Sequence, residues 1–171
     1  MRPRVVLPAL LLLVGCGDPP SPPPGSGSIT LGTTQLDGTG FLSLEGDSVL
    51  VPGAQGGFHV WVKYRVSGMS PGKVTVKRTV RRVSDNKLIL NTEGAQEVGP
   101  MGETGYWEVP TAIPSFMCPS PLGVKVFDTE AVFEVQVLDK QGDVIADDTR
   151  FATPRCPTGD QEAFCLSICS G

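Results

Sequence analysis

The stretch "FHVWVKYRVS", residues 58–67, decides the fold of this chain. Every second residue is apolar, so that Phe58, Val60, Val62, Tyr64 and Val66 would lie on one face of an extended strand. The residues between them are mostly polar or basic. We therefore predict a long β-strand that buries one face in a core.

The next segment continues the same alternation. The sequence "KVTVKRTVRRV" (73–83) places Val74, Val76 and Val80 on one side of a second strand. The residues "SDNK" then favour a turn, and "LILN" begins a returning strand. Residues 73–91 are therefore predicted to form a hairpin.

A second hairpin is predicted near the end of the chain. Residues 131–137 alternate again, 139–143 form a turn, and 144–152 return. Val124 and Val126, before it, are predicted to face inward. The region 94–121 contains five prolines and is predicted to be irregular, with an aromatic loop.

Composition agrees with a fold of short strands. The chain has 21 glycines and 16 prolines, which favour many turns. We predict an all-β, antiparallel sandwich of about seven to nine strands over residues 29–154. The pattern resembles immunoglobulin-like and fibronectin type III-like domains, although the Cys…Trp…Cys spacing of antibody domains is absent.

The amino-terminal sequence "MRPRVVLPALLLLVGC" (1–16) predicts how the protein is held in place. Arg2 and Arg4 precede an apolar block over 5–14, which is half the length of about 20 residues that a membrane span needs. Such a block fits the apolar part of an export signal. The order of charge, apolar block and "LVGC" (13–16) resembles the signal and lipobox of bacterial lipoproteins.

That resemblance implies a signal peptide over 1–15 that is removed, and acyl chains such as palmitate on Cys16. Residues 16–28 would then form an extended linker rich in Pro, Gly and Ser. The lipid anchor would make the membrane a partner and the bacterial cell envelope the location. Gly17, in the position where Asp tends to retain such proteins at the inner membrane, favours the outer membrane where there are two.

Charge excludes one class of partner and indicates another. The chain has 14 Lys and Arg against 18 Asp and Glu, a net charge of −4, which makes general nucleic-acid binding a poor interpretation. Residues 63–87, in contrast, contain eight basic residues and a single acid, Asp85. This stretch is either a binding face for an anionic polymer or an acidic envelope protein, or an ordinary solvated face.

The candidate binding residues are the basic side chains of that stretch together with two aromatic residues of the predicted loop. They are Lys63, Arg65, Lys73, Lys77, Arg78, Tyr106 and Trp107. Aromatic residues on loops can anchor a partner, but such a loop can equally fold back and close the end of the sandwich.

Four cysteines remain if Cys16 carries lipid: Cys118, Cys156, Cys165 and Cys169. An even number outside the cytoplasm predicts two disulfides that tie down a tail over 155–171, with three possible pairings. A zinc site is the alternative, because Cys-x₃-Cys resembles part of one. The tail is predicted to form a helical turn or two, with Thr158 or Asp160 as cap.

Catalytic motifs give no positive signal. The single histidine, His59, would have to serve any Ser–His or Cys–His system, and no G-x-S-x-G, H-E-x-x-H or phosphate-loop motif is present. We expect a non-enzymatic binding or structural module with no cofactor and no metal. The alternatives are an enzyme or metal carrier with a site around His59, and a subunit of a larger envelope complex.

Overall fold

The computed structural model describes residues 27–171. The predicted signal peptide 1–15, the lipobox with Cys16 and the linker up to residue 26 lie outside the described residues. Within them, the chain forms two β-sheets and one short helix. No helix in the range 27–171 has the length and hydropathy that crossing a bilayer requires.

The first sheet is built around the strand that the sequence predicts best, Phe58–Ser67. Val66 pairs with both Ile29 and Trp107, and His59 pairs with both Val51 and Phe116, so this strand has partners along both edges. The sheet consists of β1 (Ser28–Thr33), β2 (Leu42–Ser43), β4 (Val51–Pro52), β5 (Phe58–Ser67), β8 (Trp107–Glu108) and β9 (Ile113–Cys118).

The second sheet contains both predicted hairpins. Its strands, in chain order, are β3 (Gly46–Val49), β6 (Gly72–Arg82), β7 (Leu88–Val98), β10 (Ala131–Leu138) and β11 (Val144–Arg155). In space the order is β3-β11-β10-β6-β7, and every pair is antiparallel except β3 with β11, which is parallel. The turns at 83–87 and 139–143 close the hairpins β6–β7 and β10–β11 as predicted.

The predicted all-β sandwich is confirmed. Eight of the strands within residues 27–171 have four or more residues, in agreement with the predicted seven to nine. The apolar row of β5 is at most 1% exposed, and it faces the inward rows of β6 and β10 across the core. Burial of these alternate side chains is the main favourable free energy that holds the sheets together.

For the region before the second hairpin, the prediction of an irregular segment is wrong in part, whereas the prediction of inward-facing valines is confirmed. Residues 113–118 form the strand β9 rather than a loop, because Pro114 lies on an edge strand, where its missing N–H does not interrupt the pairing with β5. Val124 and Val126 are buried as predicted, but they do not lie in a strand. Instead, the Val126 N–H donates to the carbonyl of Cys169 in the tail.

The carboxy-terminal tail is tied to the sandwich by two disulfides, as predicted. Cys118 bonds to Cys169 and Cys156 bonds to Cys165. The tail contains the helix α1 (Glu162–Ile168), which begins after Gln161. The predicted caps Thr158 and Asp160 are wrong, because the structure places the helix start one residue later, and Gln161 makes no capping hydrogen bond through its side chain.

Candidate functional site

The structure divides the predicted binding residues between the two sheets. Lys63 and Arg65 lie on β5, with Tyr106 and Trp107 beside them, whereas Lys73, Lys77 and Arg78 lie on β6. The seven residues therefore do not form a single surface. Each group has a different set of neighbours, and those neighbours decide which positive charge remains available for a ligand.

Arg65 lies in a closed set of contacts on the outer face of the first sheet. Its Nε donates to Glu108 at 2.8 Å, and the same carboxylate accepts from Lys63 Nζ at 2.6 Å. The guanidinium carbon of Arg65 lies 3.9 Å from the ring centroid of Phe41 and 4.4 Å from that of Tyr106. We call Lys63, Arg65, Phe41, Tyr106 and Glu108 the Arg65 cage.

The Arg65 cage is a structural unit with its charges balanced. Lys63 is only 6% exposed, so its ammonium group depends on Glu108. Partial burial raises the pKa of Glu108, but the hydrogen bonds from Lys63 and Arg65 outweigh it and lower the pKa overall. The carboxylate therefore stays ionised between its two cations.

A glycine makes room for the cage. A Cβ on Gly32 would lie 2.5 Å from the Phe41 ring, so the ring occupies the space above this glycine and extends over Arg65. Trp107 does not join the cage, because it pairs with the buried Val66 on the other face of the sheet and lies against Gly99. The two aromatic residues of the predicted loop are thus packed against the sandwich.

The basic residues on the outer face of the second sheet lie opposite acids. Lys73 is opposite Glu97 and Lys77 is opposite Glu93 on β7. At the turn, Arg82 and Lys87 share the carboxylate of Asp85. Strand pairing therefore places acids from outside the basic window opposite Lys73 and Lys77, which a count over the window alone does not show.

Arg78 is the exception, because it lies in the inward row of β6. In register it is opposite Val135 of β10, which is fully buried, and opposite Thr92 of β7. The row therefore reads Val74, Val76, Arg78, Val80, with one arginine among three valines. The sequence contains this signal, since position 78 follows the same period of two as the valines. The candidate binding face predicted from charge alone combines Arg78 with the outward-facing lysines.

A polar cleft opens between the sheets beside Arg78. It has a cavity volume of about 210 Å³ and lies next to β7, where Gly94 provides no side chain to fill it. A Cβ on Gly94 would meet no heavy atom within 4 Å. Apolar Val76 and Ile113 also line this space. We give the name Arg78 cleft to Gly94 and the polar lining residues together with Ser115, which bonds to Arg78: Tyr64, Arg78, Thr92, Gly94, Gln96 and Ser115.

Not every hydrogen-bonding group in the Arg78 cleft has a partner among the described residues. Arg78 Nη1 donates to Ser115 Oγ at 3.2 Å, and the Tyr64 hydroxyl donates to Gln96 Oε1 at 2.9 Å. Burial raises the pKa of Tyr64 to about 12 although the positive charge of Arg78 acts in the opposite direction, so the hydroxyl keeps its proton. Thr92 Oγ1 is buried and has no hydrogen-bond partner among residues 27–171.

Arg78 also has no counter-ion in the described part of the chain, where no carboxylate oxygen lies within 4.0 Å of its guanidinium. Glu93 contributes to the rim of the cavity but, opposite Lys77, belongs to the outer face of β7. Burial lowers the pKa of Arg78, yet a guanidinium stays protonated in proteins. The cleft therefore contains a partly buried positive charge, and several N–H donors of the Arg78 guanidinium are unused.

His59 is buried beside two aromatic rings. Its ring lies 4.2 Å from that of Trp61 and 5.7 Å from that of Phe116, and it is 4% exposed. Neither ring nitrogen has a hydrogen-bond partner within residues 27–171. Burial lowers the pKa of His59, so the neutral ring packs as an aromatic residue.

Three cysteine sulfurs lie close enough together to suggest a metal site. Those of Cys156, Cys165 and Cys169 are within 4.8 Å of one another. All three are bonded in disulfides, however, and a disulfide sulfur is not the thiolate that zinc requires. The cluster is therefore explained by the two bridges.

Comparison with known proteins adds little. No protein-family model and no curated protein matches this chain. Among solved structures, the chain is similar to Bacteroides uniformis beta-glucuronidase, with 11% sequence identity and a TM-score of 0.42. The match covers 75% of this chain and 14% of that chain, and it is too distant to support a statement about function.

Proposed function

We propose that this chain is a non-enzymatic binding module, held by a lipid at the bacterial envelope, whose recognition site is the Arg78 cleft. The cleft receives a carboxylate group, presented by an envelope protein or an anionic polymer. The observation that carries the proposal is the inward-facing Arg78, which has a cavity beside it and no counter-ion among residues 27–171.

A carboxylate fits the chemistry of the cleft. The planar guanidinium forms paired, charge-assisted hydrogen bonds with a carboxylate, and a partly buried positive charge without a partner is unfavourable. The cavity of about 210 Å³ is smaller than the roughly 300–1,000 Å³ of pockets that enclose a whole small molecule. A single acidic group of a larger partner is therefore the expected occupant.

The location is supported by the sequence. A positive start, a short apolar block and "LVGC" (13–16) predict a lipid on Cys16 and a signal peptide over 1–15. Two disulfides in the folded part are typical of an oxidising compartment outside the cytoplasm. The proposed linker ends where β1 begins, so the sandwich would follow the anchor after a short spacer.

An acetate titration of the full chain in detergent micelles tests the recognition site. The NMR signal of the Arg78 Nε–Hε group, assigned from its loss in Arg78→Lys, should shift and saturate as acetate replaces chloride at constant ionic strength. Arg65 is the matched control, because its guanidinium already has Glu108 as partner. Its signal should move little.

Equal, linear shifts of the Arg65 and Arg78 signals would show only a general salt effect and would overturn the proposed site.

The lipid anchor is tested by a separate experiment. Cys16→Ser should move the protein from the membrane fraction to the soluble fraction, and labelled palmitate should enter the wild type but not the variant. Unchanged fractionation would refute the lipid anchor without affecting the cleft.

A further inference from the structure

The strand next to the Arg78 cleft is an exposed sheet edge. β7 has eleven residues and pairs only with β6 among the described strands, so its other side presents backbone groups without strand partners. Such an edge can accept a further strand from another chain. Its position matters because Thr92, Gly94 and Gln96 of β7 line the cleft.

The other edges of the described sheets are protected in ways that β7 is not. β3, at the opposite edge of the second sheet, has four residues and β2 has two, while β9 contains Pro114. Short edges and prolines discourage pairing with other chains. β7, "LILNTEGAQEV", is long and contains neither proline nor lysine. This edge is therefore the best suited in residues 27–171 to receive a strand.

From these observations we infer that the partner of this protein is an extended segment that pairs antiparallel with β7 and places one acidic side chain in the Arg78 cleft. This inference rests on the proposed function of the cleft and names the form of its ligand. The incoming strand would extend the five-stranded second sheet.

The geometry of a sheet specifies where the acid must be. Strands in a sheet lie about 4.8 Å apart, so an added strand would lie roughly 10 Å from β6, which carries Arg78. The residue opposite Gly94 faces inward with it, and a Cβ on Gly94 itself would meet no heavy atom within 4 Å. Gly94 is opposite Val76, and Arg78 is the next inward residue of β6, opposite Thr92, so the acid would approach the arginine diagonally. Extended glutamate and arginine side chains together span the distance.

Charges on the outer face specify the neighbouring residues of the partner. Glu93 and Glu97 alternate with the inward residues of β7 and face outward, opposite Lys77 and Lys73. A partner strand with basic residues at the two positions opposite these glutamates would add favourable cross-strand pairs. The expected motif therefore has a glutamate that points inward and lysines that point outward.

A second copy of this chain does not meet that requirement. If two β7 strands paired with each other, the inward positions would be Thr92, Gly94 and Gln96, none of which carries a carboxylate. The glutamates on the outer face would also be brought near one another, which is unfavourable. Charge complementarity therefore favours a different protein over a homodimer.

The test uses the capped peptide Thr-Lys-Val-Thr-Glu-Lys-Val-Thr, whose glutamate would lie opposite Gly94 and whose lysines would lie opposite Glu93 and Glu97. With the full chain in micelles, we expect saturable binding and slower hydrogen exchange for the β7 amides that do not bond to β6. A peptide with Gln in place of Glu should bind at least about tenfold more weakly.

Two variants of the protein complete the experiment. Gly94→Leu should fill the cleft and weaken binding at least about tenfold, because its side chain extends into open space. Asn91→Leu adds the same side chain on the outer face of the same strand, opposite Thr79 and away from the cavity lining, and should keep most of the binding. Thermal unfolding checks that both variants fold.

The outcomes separate this inference from the proposed function. If acetate shifts the Arg78 signal but the peptide leaves exchange in β7 unchanged, the cleft stands and strand addition is wrong. Equal binding of the Glu and Gln peptides, or a concentration-dependent dimer that the peptide does not dissociate, would also overturn strand addition. If neither acetate nor the peptide acts on Arg78, both proposals fail.

Discussion

Arg65 and Arg78 are two partly buried arginines in one small domain, and their surroundings are opposite. Arg65 has a carboxylate at 2.8 Å and an aromatic ring on each of two sides, whereas Arg78 has one hydroxyl at 3.2 Å and a cavity. The first arrangement satisfies a charge from within the chain. The second leaves a charge that a partner can satisfy, which is why the cleft and not the cage is the candidate site.

The comparison also shows why a count of basic residues is a poor guide to a binding face. Lys63 and Arg65, on the most regular strand in the sequence, both bond to one carboxylate, so their charges are compensated within the chain. Their counter-ion, Glu108, is more than 40 residues away along the chain. The sheet, not the local sequence, decides which charges are free.

Removal of the shared acid should have the largest effect. Glu108→Gln leaves the buried ammonium of Lys63 without a counter-ion and removes the charge-assisted bond to Arg65. We expect the free energy of unfolding to fall by about 2–3 kcal/mol in urea denaturation. Asp85→Asn, at a solvent-exposed turn, is the control and should change stability much less. Similar losses for the two variants would contradict the distinction between a buried and a surface ion pair.

Glycine substitutions test the space above each arginine. In Gly32→Ala the new Cβ would lie 2.5 Å from the Phe41 ring and 2.6 Å from the Leu42 carbonyl, so the ring over Arg65 must move. A loss of about 1–3 kcal/mol is expected from such overpacking. Gly94→Ala meets nothing within 4 Å and should leave the protein unchanged or more stable by about 0.5 kcal/mol. Thermal and urea unfolding of the pair measure the difference, and equal losses would mean that the cleft is not open.

Exchange of each arginine for methionine tests the comparison directly. Arg65→Met should lower the free energy of unfolding by about 1–1.5 kcal/mol, since it leaves Glu108 with one cation and the two rings without a charge between them. Arg78→Met should change it by less than about 1 kcal/mol, because the variant loses one hydrogen bond from the guanidinium to a neutral hydroxyl and, with it, an unfavourable uncompensated charge. A larger loss for Arg78→Met would show that this arginine is structural, and the proposed site would then be wrong.

Much of the fold could be predicted from the sequence, because local alternation determines which face of a strand is buried. The rows of β5, β6 and β10 and both hairpins follow from that rule, as does the even number of cysteines for the two disulfides. The strand β9 was missed because prolines normally interrupt strands, and only the edge position of Pro114 makes it compatible with pairing.

The candidate site could be predicted only in part. Arg78 was among the proposed residues, but Tyr64, Thr92, Gln96 and Ser115 come from three other strands, and nothing local links them. The disulfide pairing could not be predicted either, because the sequence allows three pairings of the four cysteines. Long-range contacts of this kind depend on strand register, and the register becomes visible only when the whole sheet is assembled.

His59 extends the comparison of Arg65 with Arg78, because it is a second basic side chain that is buried without a hydrogen-bonded counter-ion among residues 27–171. A histidine in this position can lose its proton, and burial does lower its pKa, whereas an arginine cannot. The absence of a counter-ion therefore costs the protein little at His59 at neutral pH. At Arg78 the uncompensated positive charge persists at every physiological pH. An external anion is therefore expected beside Arg78 and not beside the histidine.

The smallest expected effect follows from that difference. Since the folded-state pKa of His59 lies below the ordinary value of 6.5, the unfolded chain binds the proton first as the pH falls. The contribution of His59 to stability is therefore fully present above about pH 6.5 and is lost progressively below it, with a slope of at most about 1.4 kcal/mol per pH unit. Urea unfolding of the wild type and His59→Phe between about pH 7.5 and about pH 5 should show a decline in the wild type that is reduced in the variant. Arg78→Met should keep the wild-type slope, because an arginine does not titrate in this range. If His59→Phe follows the wild-type curve, the histidine binds its proton equally well in the folded and unfolded states. The contrast between a basic group that loses its charge on burial and one that keeps it would then no longer separate these two positions.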